Sequence, residues 1–146
     1  MDVKIDKSSV TDDVVMSVSI IARSIVDSNG GSLYDKVRIQ ERDKELIAKY
    51  IGSAIGNVLK ELNNFIASYK NDTLTLVENR RFNEAVVSDL SGIVHQYLMN
   101  FVSAEWMKIK AVEYAPVFSA RADECLNTIF AKLRFKNEPV MKTFDS

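Results

Sequence analysis

One histidine, His95, and one cysteine, Cys125, are the residues of this chain best suited by type to proton transfer or nucleophilic attack. A thiol acts as a nucleophile when a base stands within hydrogen-bond reach, and His95 is the one imidazole available for that role. A ferritin-like di-metal centre needs Glu-x-x-His pairs on two helices, but position 92 is Gly92 and the sequence holds no second histidine. A haem needs an axial ligand together with a pocket, and His95 alone is thin support for one. His95 is therefore expected either to be satisfied by a neighbour or to face solvent. Cys125 falls on the apolar face of a helical segment, where a free cysteine behaves as a small hydrophobe. The acidic clusters Asp12-Asp13 and Glu41, Asp43, Glu45 suit the positive ends of helix dipoles better than a catalytic carboxylate pair. The sequence contains no Gly-rich phosphate cradle, zinc-ligand spacing or Gly-x-Ser-x-Gly element. The reading names no catalytic residue, metal ligand or cofactor, and an enzyme is not expected.

Charge points the same way. The chain has 19 basic and 20 acidic residues for a net charge of −1, whereas a dedicated nucleic-acid binder concentrates a basic excess on one face. The basic residues that do cluster are Lys132, Arg134, Lys136 and Lys142 near the C-terminus, with Arg80-Arg81 further upstream. Cations at a helix C-terminus complement its dipole; the other reading is a modest patch facing DNA. A lone cysteine does not suggest a secreted disulfide scaffold. The first residues alternate charged and apolar types rather than forming a signal peptide. Apolar runs of a few residues fall far short of the roughly 20 that span a bilayer.

The elements that must position these groups follow from spacing. At 146 residues, with 47% apolar and 27% charged side chains, the chain suits one soluble domain. Val10, Val14, Val18, Ile21 and Ile25 fall on one helical face. Ser8, Ser9 or Thr11 is expected to cap that helix and Asn29-Gly30-Gly31 to stop it. A connector carries Leu33, Tyr34, Val37 and Ile39. A second helix is predicted over about 41–69, on the stripe Ile47, Ile51, Ala54, Val58, Leu62, Phe65 and Tyr69. Gly52 and Gly56 inside it suggest close approach of a neighbouring helix, or else a hinge. Residues 73–77 alternate at period two and read either as an extended connector or as a strand paired with another chain or an unseen short strand. A third helix carries Phe82, Val86, Leu90, Ile93, Tyr97, Phe101 and Ala104. After a break near 110–113, a fourth carries Tyr114, Phe118, Ala122, Cys125, Ile129 and Leu133. Pro116 is tolerable in its first turn. The expected fold is all-α: an antiparallel four-helix bundle over residues 1–134 with two long helices and one short extended segment, then an extended C-terminal arm over 135–146.

Several short elements carry a resemblance. Leu33-Tyr34-Asp35-Lys36-Val37 and then Arg42-Asp43-Lys44 ahead of a long helix, the period-two segment, Trp106 followed by Glu113-Tyr114-Ala115, and the basic Pro-containing stretch from Lys136 to Pro139 resemble small virion proteins of tailed phages infecting Bacteroidales. The chain departs from that pattern at Gln40-Glu41-Arg42, where a more acidic turn is usual. The resemblance implies a structural component of the virion, a head–tail connector or ring subunit that oligomerises between portal and tail. Its neighbours would be portal, tail or other ring proteins, with possible non-specific DNA contact and no membrane. On that reading Leu33, Tyr34, Leu74, Leu76, Val77, Val140, Met141 and Phe144 are candidate interface residues, and Lys132, Arg134, Lys136 and Lys142 are candidates to face DNA. The alternative is a cytoplasmic helical adaptor or regulatory protein that binds a partner protein.

Overall fold

A helix of 27 residues, about 40 Å long at 1.5 Å per residue, runs through the centre of the fold and touches nearly every other element. This computed structural model describes residues 2–77 and 84–135. In chain order they form β1 (Asp2–Lys4), α1 (Lys7–Ala22), a short α2 (Tyr34–Val37), α3 (Lys44–Glu61), β2 (Ile66–Lys70), β3 (Thr73–Leu76), the central α4 (Glu84–Lys110) and α5 (Ala115–Phe135). Single 3-10 turns lead into α3 and α5 and follow α3. The chain is mostly helical, as expected, but it is not all-α: the period-two segment is the middle strand of a small sheet, paired with two short strands of the same chain rather than left as a connector.

The α1 helix starts earlier than the sequence suggested. Its cap is Asp6, whose carboxylate accepts the Ser9 N–H at 3.0 Å. Ser8, Ser9 and Thr11 instead fall inside the helix, with the Thr11 hydroxyl donating back to the Lys7 carbonyl. Val10, Val14, Val18 and Ala22 form its buried row. The helix ends at Ala22, so Asn29-Gly30-Gly31 is not its stop. These residues make a separate turn, in which the Asp27 carboxylate accepts the N–H groups of Asn29 and Gly31 and Gly30 takes a φ of 83°. Ile25 reaches the core from this loop rather than from the helix.

The largest correction falls after residue 61. The helix predicted over 41–69 occupies only Lys44–Glu61, and the next residues turn into β2. Asn63 and Asn64 are poor helix residues because their side chains compete for local backbone groups. Asn71 and Asp72 take left-handed dihedrals, with φ of 51° and 60°, as a two-residue hairpin turn requires. Phe65 and Tyr69 therefore belong to a β-hairpin and its approach rather than to a helical stripe. The β3 strand lies in the middle of an antiparallel sheet of order β1-β3-β2, with Leu74 opposite both Val3 and Tyr69. Leu74 and Leu76 point into the chain's own core beside Val3. Both edges of β3 are paired, and these two leucines, expected as interface candidates, are buried within the protomer. Val77, just beyond, donates its N–H to the Phe65 carbonyl.

The two glycines of α3 are also corrected. A Cβ built on Gly52 or Gly56 meets nothing within 4 Å, so among the described residues no neighbouring helix approaches there. Along α4, Leu90, Tyr97 and Ala104 are buried as the stripe predicted, and Val94, Leu98, Val102, Trp106 and Met107 are buried too. The helix is covered on more than one side because α1, α3, α5 and β1 all pack on it. Residues 111–114 reverse the chain, and Phe118, Ala122, Ile129 and Leu133 of α5 face inward as expected. The short reversal makes the helical hairpin antiparallel, which brings Lys132 near the end of α5 to 3.4 Å from Asp89 near the start of α4.

Candidate functional site

Two places are candidates for function: a cleft beside His95, and apolar surface that the fold leaves uncovered. His95 projects from the middle of α4 toward α1, where its Nε2 lies 2.6 Å from the Asp13 carboxylate. The expectation that His95 is satisfied by a neighbour holds, although Asp13 was assigned to a helix end and instead lies well inside α1, beyond its first turn. His95 borders a cleft of about 310 Å3 formed by Lys4, Ile5 and Asp6 at the β1–α1 junction and by Ser91, Gly92 and Leu98 of α4. Ser91 precedes His95 by one helical turn. A nucleophile–base pair would join them by a hydrogen bond, and among the described residues none does. What the geometry provides is a link between α1 and α4 with an oriented imidazole.

Cys125 is half-buried against the core. Burial, and after it the charge of Glu124, raises its thiol above the ordinary value of 9.0. The protonated form is favoured, which suits packing rather than attack. Next to the β1–α1 junction that lines the His95 cleft, the hairpin turn meets the start of α1. Asp72 accepts from Lys7 Nζ at 3.0 Å and from the Tyr69 hydroxyl at 3.1 Å. The Lys7 hydrogen bond holds the Asp72 carboxyl below its ordinary 3.8, and the same bond raises Lys7.

The sequence candidates are not gathered in one place. Leu33 and Tyr34 are half-buried and packed against the chain's own core, and the Tyr34 ring lies under the Arg38 guanidinium at 5.5 Å. Their surface is largely taken up inside the protomer. Lys132 lies 3.4 Å from the Asp89 carboxylate. The Arg134 side chain, Lys136 and Lys142, with Val140, Met141 and Phe144, lie outside the described residues.

Sequence reasoning missed the exposed apolar side chains. On α1, Met16 and Ile20 are 62% and 59% exposed and stand four residues apart, in line with Asp12, and Val26 is exposed in the loop that follows. At the α4–α5 corner, Ile109 and Val112 are 61% and 66% exposed, and Val117 is exposed in the first turn of α5. A signal was present. Residues 14–21 carry more apolar side chains than one helical face can hold, so some had to point outward. No protein-family model matches the chain, and neither a curated protein nor a solved structure matches it significantly.

Proposed function

We propose that this chain is a non-enzymatic structural subunit of a tailed-phage virion, a head–tail connector or tail-ring protein that oligomerises between portal and tail. One observation carries the proposal: two separate sets of exposed apolar side chains, on α1 and at the α4–α5 corner. A closed ring is built from heterologous contacts, so each subunit presents two different surfaces, one to each neighbour. Scattered single apolar residues on a surface are ordinary. Met16 and Ile20 aligned on one helix, and Ile109, Val112 and Val117 grouped around one corner, are not scattered.

The fold suits such a part. The four longer helices are read as an antiparallel bundle with α4 at its centre, a stiff body able to hold two surfaces at fixed angles. The residues that follow α5, with Val140, Met141 and Phe144, are proposed to reach an adjacent virion protein, and the basic residues among them to touch DNA by charge alone. Among the described residues no helix is long and apolar enough to cross a membrane. The resemblance of the Tyr34, Trp106 and Glu113-Tyr114-Ala115 elements to Bacteroidales phage virion proteins supplies the place of assembly. Mass spectrometry of purified virions tests this reading: the chain should be present in multiple copies per particle, and its absence from the particle overturns it.

A further inference from the structure

We infer that the α1 row of one copy docks on the α4–α5 corner of the next copy, so that Met16 and Ile20 pack against Ile109, Val112 and Val117 across the subunit boundary. The inference rests on the ring reading above and names the pair of surfaces that make its contact. A second copy is the occupant that fits because the two sets of apolar residues are flanked by opposite charge. The α1 row continues into Asp12 on one side, and Asp27 lies close to Val26 on the other. Both carboxylates are exposed. The corner is flanked by Lys108, Lys110 and Arg121, all exposed; the Lys110 ammonium lies 5.3 Å from the Trp106 ring and Arg121 5.9 Å from the Phe118 ring.

Lys108 is already paired with Glu105 at 2.6 Å, so Lys110 and Arg121 are the cations left to meet a neighbour's carboxylates. Each surface also holds charge of the minority sign, Arg23 beside the row and, besides the paired Glu105, Glu113 at the corner, and Arg23 and Glu113 are complementary to each other as well. Docking row on row would set Asp12 and Asp27 against their own copies. Docking corner on corner would do the same with Lys110 and Arg121. Like charges juxtaposed in an interface disfavour the wrong arrangement. Row on corner is thus the one pairing that covers both apolar sets and matches charge, and when it runs head to tail rather than reciprocally within a two-fold dimer it is heterologous, as closure into a ring demands. An apolar centre with a charged rim is the usual anatomy of a specific interface.

Oxidative cross-linking of the full chain tests the pairing. In a Cys125→Ser background, Ile20→Cys and Val112→Cys are introduced singly and together, and oxidation is carried out on the purified protein and on virions assembled with it. The double variant should give a ladder of dimers, trimers and higher species, while each single variant stays uncross-linked. Efficient dimers from either single variant would show like surfaces meeting and overturn the inference. So would a protein that is present in virions yet forms no link between positions 20 and 112 in either setting. That second result leaves the ring reading intact, whereas absence from virions removes the reading itself. A charge exchange gives an independent readout. Asp12→Lys or Lys110→Asp alone should weaken self-association by up to about fivefold, and the two together should recover most of the loss. Losses that simply add in the double variant would overturn the pairing.

Discussion

The α4 and α1 helices have similar apolar content but use it in opposite ways. On α4 the apolar residues are met from several sides: Tyr97, Leu98, Val102, Trp106 and Met107 are all buried. On α1 one row, Val10, Val14, Val18 and Ala22, is buried, while a second apolar row is left in solvent. The difference separates two demands on one sequence. The apolar surface of α4 holds the protomer together, whereas the outer row of α1 adds nothing to the protomer and acquires a purpose when a second surface arrives. Substitutions of the buried α4 residues should therefore act on stability and those on the outer row of α1 on association.

Trp106 gives the sharpest form of the first half. It is buried, and its indole N–H donates to the Val37 carbonyl at 2.7 Å, which ties α4 to α2. Trp106→Ala should cost about 3–5 kcal/mol, from lost apolar burial and the cavity left behind. Trp106→Phe keeps most of the apolar contact but strands the carbonyl, at about 1–3 kcal/mol. Urea denaturation followed by circular dichroism measures both. A loss under 1 kcal/mol for the alanine variant would mean that α4 is not the structural centre.

A smaller effect, of opposite sign, is expected in α3. Gly52 and Gly56 are exposed, helical and open where a Cβ would stand. Replacing either with alanine should stabilise the protomer by about 0.5–1 kcal/mol, because alanine loses less backbone freedom on folding. Destabilisation in the same denaturation experiment would reveal an unseen close approach and restore the original reading of the pair.

How much of this was legible in the sequence depends on how local the cause was. Steps of three and four found the buried rows of α1, α4 and α5, since that spacing is set by the helix itself. The same rule failed after residue 61. Leu62, Phe65, Ile66 and Tyr69 fit a helical period, but the pairing of β2 with β3 and the turn at Asn71-Asp72 prevailed over it. Three-residue β1 carries too little pattern to read and exists because β3 offers it an edge. The Asp13–His95 pair joins residues far apart in sequence, and no spacing rule reaches across that separation. The outer α1 row was readable as an apolar excess, but only the fold shows which side is covered.

Acid should expose a further contrast between the sheet corner and the helical interior. Asp72 is held below its ordinary 3.8 by the Lys7 hydrogen bond, so its contribution is complete above that value and is lost as pH falls through the lower folded one. Lys7 is raised, so its contribution is complete below its ordinary 10.5 and is lost as pH rises through the higher folded one. The corner is thus strongest between about pH 4 and pH 10. In thermal melts between pH 2 and pH 6, Asp72→Asn should flatten the acid-side decline relative to the parent protein. An unchanged slope would show that the Lys7–Asp72 contact is not held in solution.

The smallest expected effect on stability belongs to Ile20→Lys, and it bears most directly on the outer row of α1. Ile20 is 59% exposed in the last turn of α1, so removing its side chain takes little out of the core. A lysine there is a good helix former and complements the negative end of the helix dipole. Denaturation midpoints should therefore stay within about 0.5 kcal/mol of the parent. In the docked arrangement, however, the new ammonium would face Lys110 and Arg121 of a neighbouring copy. Light scattering across a concentration series should show self-association weakened while the protomer remains as stable as before. If association is unchanged, the outer row of α1 is ordinary surface and its contrast with α4 carries no functional meaning. If the protomer unfolds instead, the row is part of the core.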